Sequence, residues 1–321
     1  HNLTDDNSLY FRFHRNWVPY VLSRSLPAFN WTRQRSYSKS VISDTHIFNP
    51  GLINTARFGW NGNYMLDGDT VDGFTPLQGD EAVAAIGLQG VNPGGYSEQG
   101  FPRMDLSGYS PLETVDGGFR DDHYDFSFED SVTWSSGQHV WKFGGQVYKY
   151  NDYDARVKTG NYGRFNFNGR FTGNSWADFL LGLPNWSRRL DPLLPREQEA
   201  VEVGLYLMDT FKVTPKLTLD YGLRWDYFGS DTIKDGLQYN WDPGSGNVII
   251  PPGKMSEVSP IYPPTITLAE GEVVPKPSKS NFRPRIGLAY RTESDFVIRG
   301  GYGIFTERLG YFSRVISTGP F

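Results

Sequence analysis

Val201-Glu-Val-Gly-Leu-Tyr-Leu-Met-Asp-Thr-Phe-Lys-Val213, the turn Thr214-Pro-Lys216, and Leu217-Thr-Leu-Asp-Tyr-Gly-Leu-Arg-Trp-Asp-Tyr227 together fix the architecture. In the first run the odd positions read Val201, Val203, Leu205, Leu207, Asp209, Phe211 and Val213. The even ones read Glu202, Gly204, Tyr206, Met208, Thr210 and Lys212. After the turn, Leu217, Leu219, Tyr221, Leu223, Trp225 and Tyr227 alternate with Thr218, Asp220, Gly222, Arg224 and Asp226. Side chains along a strand point to opposite faces in turn, so a period of two makes each run a strand with one apolar and one polar face. The short Pro-containing turn folds the two into a hairpin. Each is about as long as the roughly 9–11 residues of a tilted strand that crosses a bilayer.

Two further hairpins share this form. Tyr124, Phe126, Phe128, Val132 and Trp134 alternate with Asp125, Ser127, Glu129, Ser131 and Thr133. The turn Ser135-Ser-Gly137 leads into Trp141, Phe143, Gly145 and Val147, opposed by Lys142, Gly144, Gln146 and Tyr148. Near the end, Ile286, Leu288 and Tyr290 stand against Arg283, Arg285 and Arg291, and the turn Thr292-Glu-Ser294 precedes Phe296, Ile298, Tyr302 and Ile304. Weaker single strands fall at residues 8–16, 54–63 and 163–171, for about nine strand segments in all.

Short turns alternate with long connections rich in Pro, Gly and polar residues, at 64–121, 172–197 and 229–281. Structureless loops of that length are foreign to a compact soluble domain. Outer-membrane barrels combine short periplasmic turns with long extracellular loops. Trp134, Trp141, Trp225, Tyr227 and Phe228 cluster near strand ends, where barrels carry aromatic girdles. The sequence therefore predicts an all-β protein, part of an antiparallel transmembrane β-barrel, with apolar faces toward lipid and polar faces toward a wide lumen.

Composition agrees. Aromatic residues make up 16% of the 321, yet mean hydropathy is −0.49, because the rings are interleaved with Asn, Asp, Arg, Ser and Gly. No run approaches the roughly 20 apolar residues of a membrane-spanning helix. Zero cysteines exclude a disulfide scaffold, a thiolate metal site and a cysteine nucleophile. The net charge of −5 is spread thinly, and no basic run suits nucleic acid. The opening His1-Asn-Leu-Thr-Asp-Asp6 has no signal-peptide pattern and reads as the interior of a longer mature protein.

Candidates for chemistry are few. Asp67-Gly-Asp-Thr-Val-Asp-Gly73 resembles a calcium loop, with Asp67, Asp69 and Asp72 as candidate ligands. The EF-hand spacing fails, since Asp72 comes one position late and Gln78 stands where Glu is required. A solvated extracellular loop, with no metal and no cofactor, is the expectation. The five histidines, His1, His14, His46, His123 and His139, lack ligand spacing. Asp121, Asp122 and Glu129 do not form a glycosidase pair, because adjacent strand residues point to opposite faces. There is no Gly-x-Ser-x-Gly elbow and no phosphate-cradling loop. Arg299-Gly-Gly-Tyr-Gly303 sits in a strand, where glycine permits curvature. Residues 175–183 suit two helical turns whose apolar side packs against a loop or the barrel rim. No enzymatic activity is expected.

Several segments, in order, resemble the barrel of TonB-dependent outer-membrane receptors, in particular the Oar-like group. They begin with His46-Ile-Phe-Asn-Pro-Gly-Leu-Ile-Asn-Thr-Ala-Arg-Phe-Gly-Trp60, Ala85-Ile-Gly-Leu88, Gly100-Phe-Pro102 and Leu106-Ser-Gly-Tyr109. They continue with Gly137-Gln-His-Val-Trp-Lys-Phe-Gly-Gly145 and Thr172-Gly-Asn-Ser-Trp-Ala-Asp-Phe-Leu-Leu-Gly-Leu-Pro184. The last are the 205–225 portion of the opening hairpin and Arg299-Gly-Gly-Tyr-Gly-Ile-Phe305. The resemblance implies that residues 1–321 are part of a single outer-membrane barrel domain. No plug domain, TonB box or C-terminal strand signature is recognisable in them, and large plugged transporters have about 22 strands. It further implies a bacterial outer-membrane location, contact with outer-membrane lipid, and uptake or export of a bulky solute driven by the TonB system through a plug. Two alternatives stand beside it: an outer-membrane adhesin or structural barrel without transport, and a soluble all-β carbohydrate-binding module.

Overall fold

The computed structural model describes residues 2–23, 30–70, 79–91, 101–112, 119–155, 162–189, 196–274, 276–306 and 320. In chain order its strands are β1 (Asn2–Thr4), β2 (Asn7–Leu22), β3 (Trp31–Asn49), β4 (Leu52–Thr70), β5 (Arg103–Leu106), β6 (Phe119–Ser136), β7 (His139–Ala155), β8 (Arg164–Phe167) and β9 (Trp186–Arg188). They continue as β10 (Arg196–Thr214), β11 (Leu217–Phe228), β12 (Thr232–Ile233), β13 (Asn240–Trp241), β14 (Val248–Ile250), β15 (Leu268–Glu270), β16 (Phe282–Arg291) and β17 (Val297–Gly303). Of the helices α1 (Gly79–Ile86) and α2 (Ser175–Leu180), neither is long and apolar enough to cross a membrane.

The principal sheet has 11 strands in the order β1-β2-β3-β4-β6-β7-β10-β11-β16-β17, with β12 beside β10. All its pairings are antiparallel. The hairpin at 201–227 pairs as expected, with Leu207 opposite Leu223 and Val203 opposite Tyr227. Among the described residues the sheet is open, with β1 at one edge and β17 at the other.

The apolar stripe crosses this sheet on a slant. From Phe13 in β2 the ladder runs through Ser40, Trp60, Phe126 and Lys149 to Val201 in β10. From Ile286 in β16 it runs back through Tyr221 to Asp209. Phe13 and Ile286 are the middle apolar residues of their strands, yet their ladders meet β10 at positions 201 and 209, a difference of eight residues. Over the seven strand steps from β2 to β16, at ~3.3 Å per residue and ~4.8 Å per step, the slant is roughly 40°. A level apolar band on tilted strands requires this, and barrel strands tilt about 35–45°. Phe11 (65% exposed), Leu207 (49%) and Ile286 (60%) stand out from this face. Covering such side chains is worth ~1.5–3 kcal/mol each, and lipid is what covers them.

The wall has no apolar core of its own. Among the described residues the two buried apolar clusters lie in small modules at the long-loop rim. In one, β5 from the β4–β6 connection pairs in parallel with β8 from the β7–β10 connection, and β9 adds to β8. Met104, Leu106 and Phe167 are buried there beneath Trp176 and Phe179 of α2. In the other, β13, β14 and β15 enclose Leu237 and Ile250.

Three expectations are corrected by the structure. Residues 163–171 do not form a wall strand: only Arg164–Phe167 is extended, and it belongs to the rim sheet. Gly169 closes that strand with φ +82°, a conformation open to glycine. The long connections are not structureless, since they carry both modules. And β3, 19 residues long, was not in the expected strand set, because its outward positions Ser36, Ser38 and Ser40 erase the apolar alternation.

Candidate functional site on the lumenal wall

The polar face of the principal sheet gathers its side chains in ladder rows. His14, Lys39, Asn61, Asp125 and Tyr150 are successive members of one row, and Arg12, Val41, Gly59, Ser127 and Tyr148 of the next. Together they line a concave cavity of about 640 Å³, within the size range of ligand pockets. Gly59 is the floor: a Cβ there would lie 2.5 Å from Ser127 Oγ, and the serine hydroxyl would have to turn away to admit it.

The charges in the cavity are unevenly matched. Arg57 pairs with Glu129 at 3.4 Å. Asp125 is engaged by His123 Nε2 at 3.1 Å and by Asn61 Nδ2, which donates at 3.3 Å. Arg12 and Lys39 have no acidic partner among the described residues. The rings of Tyr148 and Tyr150 stack at 6.3 Å and 21°, and the Tyr150 hydroxyl donates to Glu202 at 3.3 Å. Nearer the short-turn end, a smaller cavity of 260 Å³ is lined by Lys142, Arg224 and Arg285 with Glu129.

The rim module is built by the Thr172–Pro184 segment quoted above. Asn174 Oδ1 caps α2, accepting from the Trp176 and Ala177 amides at 2.9 and 3.1 Å. Asp178, with no solvent exposure, accepts from Thr172 Oγ1 at 2.7 Å and from the Thr172 and Phe171 amides. Burial pushes its carboxyl up, but these hydrogen bonds outweigh burial and hold it below the ordinary carboxylate value. The helix turns Trp176 and Phe179 inward and leaves Leu180 and Leu181 outside, 76% and 64% exposed. Across the module, Asp105 is gripped by Arg103 and Arg164, and Arg164 lies over Trp186.

Two polar clamps interrupt the outward face. Asp209, 1% exposed, accepts from the Tyr221 hydroxyl at 2.7 Å and lies 2.6 Å from His139 Nδ1. His139 in turn stacks on Phe211 at 4.2 Å. Asn54 donates to Asp130 at 2.7 Å. Both aspartates sit in period-two apolar series where sequence reading has no signal for the partner that hydrogen-bonds them.

Of the candidate residues, Asp67 and Asp69 fall in the last residues of β4, where the register with β3 shifts, and Asp72 lies outside the described residues. Among the described residues no group of three or more His, Asp or Glu is placed to hold a metal. His14 lines the cavity, His46 contacts Asn7, His123 meets Asp125 and Asp152, and His139 meets Asp209; His1 lies outside the described residues. Asp121 and Asp122 point to opposite faces of β6, and Glu129 is engaged by Arg57. Sequence reading missed the cavity cations, because no single strand carries the cluster; it arises only when the register lays five strands side by side.

The family model described as "Outer membrane beta barrel domain" matches residues 1–321. No curated protein matches the chain. Among solved structures it is similar to one described as "Copper transporter OprC", with TM-score 0.45, 9% identity, and coverage of 94% of this chain and 34% of that one. It is also similar to the closed form of the ferric-catecholate import receptor Fiu from E. coli K12, with TM-score 0.45, 12% identity, and coverage of 93% and 41%. The chain thus spans 34% and 41% of those two solved chains.

Proposed function

The chain belongs to the outer membrane beta barrel domain family, and on that premise we propose that it is barrel wall and extracellular loop of a TonB-dependent receptor moving a bulky solute across the outer membrane. Its place is the bacterial outer membrane, which removes the soluble carbohydrate-binding module from the alternatives. The observation that carries a transport role is the division of the sheet: a slanted apolar band on one face and a charged, cavity-bearing wall on the other. Lipid takes the first, and a hydrated passage takes the second. The ordered segments from His46 to Phe305 support the receptor assignment and the Oar-like group. In this reading residues 1–321 are part of one barrel domain, and energy arrives from TonB through a plug domain. The wall holds and guides solute and carries out no bond chemistry.

The test is an outer-membrane fraction of the source run heated and unheated on a gel, followed by uptake measured with and without the proton-motive force. A heat-shifted band together with energy-dependent uptake is expected. A heat-shifted band with no energy-dependent uptake would instead favour the second reading, an adhesin or structural barrel. The exposed Phe171, Leu180 and Leu181 on the rim module favour that reading, as an apolar surface for a docking partner.

A further inference from the structure

We infer that the lumenal cavity between β2 and β7 is a binding station for an anionic group, a phosphate, sulfonate or carboxylate carried on a planar or apolar body. The inference deepens the transport reading and rests on it, since a lumen is needed to enclose the site. Lys39 stands beside His14 in one ladder row and Arg12 in the next, so that two strands present three basic side chains to one 640 Å³ space. Asp125, the acid lining the same space, is already occupied by His123 and Asn61. Arg57 is taken by Glu129. Arg12 and Lys39 therefore bring positive charge that no described acid neutralises.

Arg12 and Lys39 are exposed on this wall, so their charge stays available to an anion that enters the cavity, and concave walls lined by one sign of charge concentrate the opposite one. A guanidinium and an ammonium supply the forked and point-charge donors that bind oxyanions. The stacked faces of Tyr148 and Tyr150, on the opposite side of the cavity, suit a flat or apolar body rather than a bare ion. Gly59 keeps the floor between them open.

The test uses the full-length protein in detergent micelles and equilibrium dialysis with 1-naphthyl phosphate, with 2-naphthol as the uncharged comparison. Saturable binding of the phosphate is expected, with naphthol much weaker. The pair Arg12→Gln and Lys39→Gln should weaken phosphate binding roughly tenfold or more, as two charge-assisted contacts are lost. Lys149→Gln, on the outward face, is the control and should leave it unchanged, with the heat shift on the gel showing that each variant is folded. Equal affinity in the double variant, or equal binding of naphthol, would overturn the inference. So would absence of phosphate binding combined with looser protease resistance in the double variant, which would assign the cations to an acidic segment of the protein itself. A protein without a heat shift would instead defeat the barrel reading, whatever its binding.

Discussion

Leu207→Arg is the substitution that most directly tests which face meets lipid. A slant of eight residues over seven strand steps places the middle of the apolar band on β10, the fifth step, about six residues beyond Val201, close to Leu207. Leu207 lies between Phe143 and Leu223 and is 49% exposed. An arginine at the bilayer midplane of a barrel costs ~2–4 kcal/mol, between about thirtyfold and several hundredfold in the folding equilibrium. Val201 lies about 20 Å further along the strand and, after tilt, about 16 Å above the midplane. There Val201→Arg should cost only ~0–1 kcal/mol, and Lys149 already stands opposite it on the same face. Gln146→Arg, on the lumenal face opposite Glu129, should fall within ~0.5 kcal/mol of wild type. The assay is urea titration of the full-length protein refolded into lipid vesicles. A Leu207→Arg cost no larger than that of Gln146→Arg would refute the assignment of faces, and one equal to that of Val201→Arg would refute the slant.

His139→Phe keeps a ring against Phe211 but strips Asp209 of a hydrogen-bond partner, and should cost ~1–3 kcal/mol in the same titration. Phe167→Ala opens a void in the rim module worth ~3–5 kcal/mol; proteolysis should then cut the rim loops while the heat shift of the barrel persists. The Asp178 carboxyl is held below its ordinary value of 3.8 in the folded loop. Its contribution is therefore fully present above the unfolded value and is lost as pH falls through the lower, folded value. Protease sensitivity of the 169–183 loop should be flat from pH 7 to about 5 and rise only in strong acid, and Asp178→Asn should make it sensitive at pH 7. Gly144→Ala would put a Cβ 2.2 Å from the Asp130 carbonyl oxygen, and the β6–β7 ladder should loosen by ~1–3 kcal/mol.

The wall was legible wherever one face is uniformly apolar. Val201, Val203, Leu205 and Leu207 announce β10, and Leu217 to Tyr227 announce β11, because lipid demands the same answer at every second position. β3 escaped because Ser36, Ser38 and Ser40 face outward: Ser36 stands between Trp17 and Tyr64 and Ser40 between Phe13 and Trp60, so the large residues of that face lie on the neighbouring strands. Asp130 and Asp209 read as breaks in the pattern for a related reason: their hydrogen-bond partners, Asn54 and His139, are 76 and 70 residues away in sequence. The helix at 175–180 was foreseen from its apolar spacing, yet its role as the lid of a buried cluster depends on β5, a strand of four residues too short to announce itself. The lumenal cavity was invisible for the same reason that register is: no local pattern says which lysine lies beside which arginine.

The parallel ladder from Arg103↔Arg164 to Leu106↔Phe167 joins two connections that leave the wall at different strands. Because side chains alternate along β5, a slip of one residue would turn Met104 and Leu106 outward and Arg103 and Asp105 into the apolar cluster. The paired parts of the two connections are therefore held in one register, with no intermediate slip that keeps the cluster apolar. At the mouth of the barrel two loops that leave the wall at different strands thus share one small fold, and what the sequence presents as separate connections is, at this ladder, a single unit.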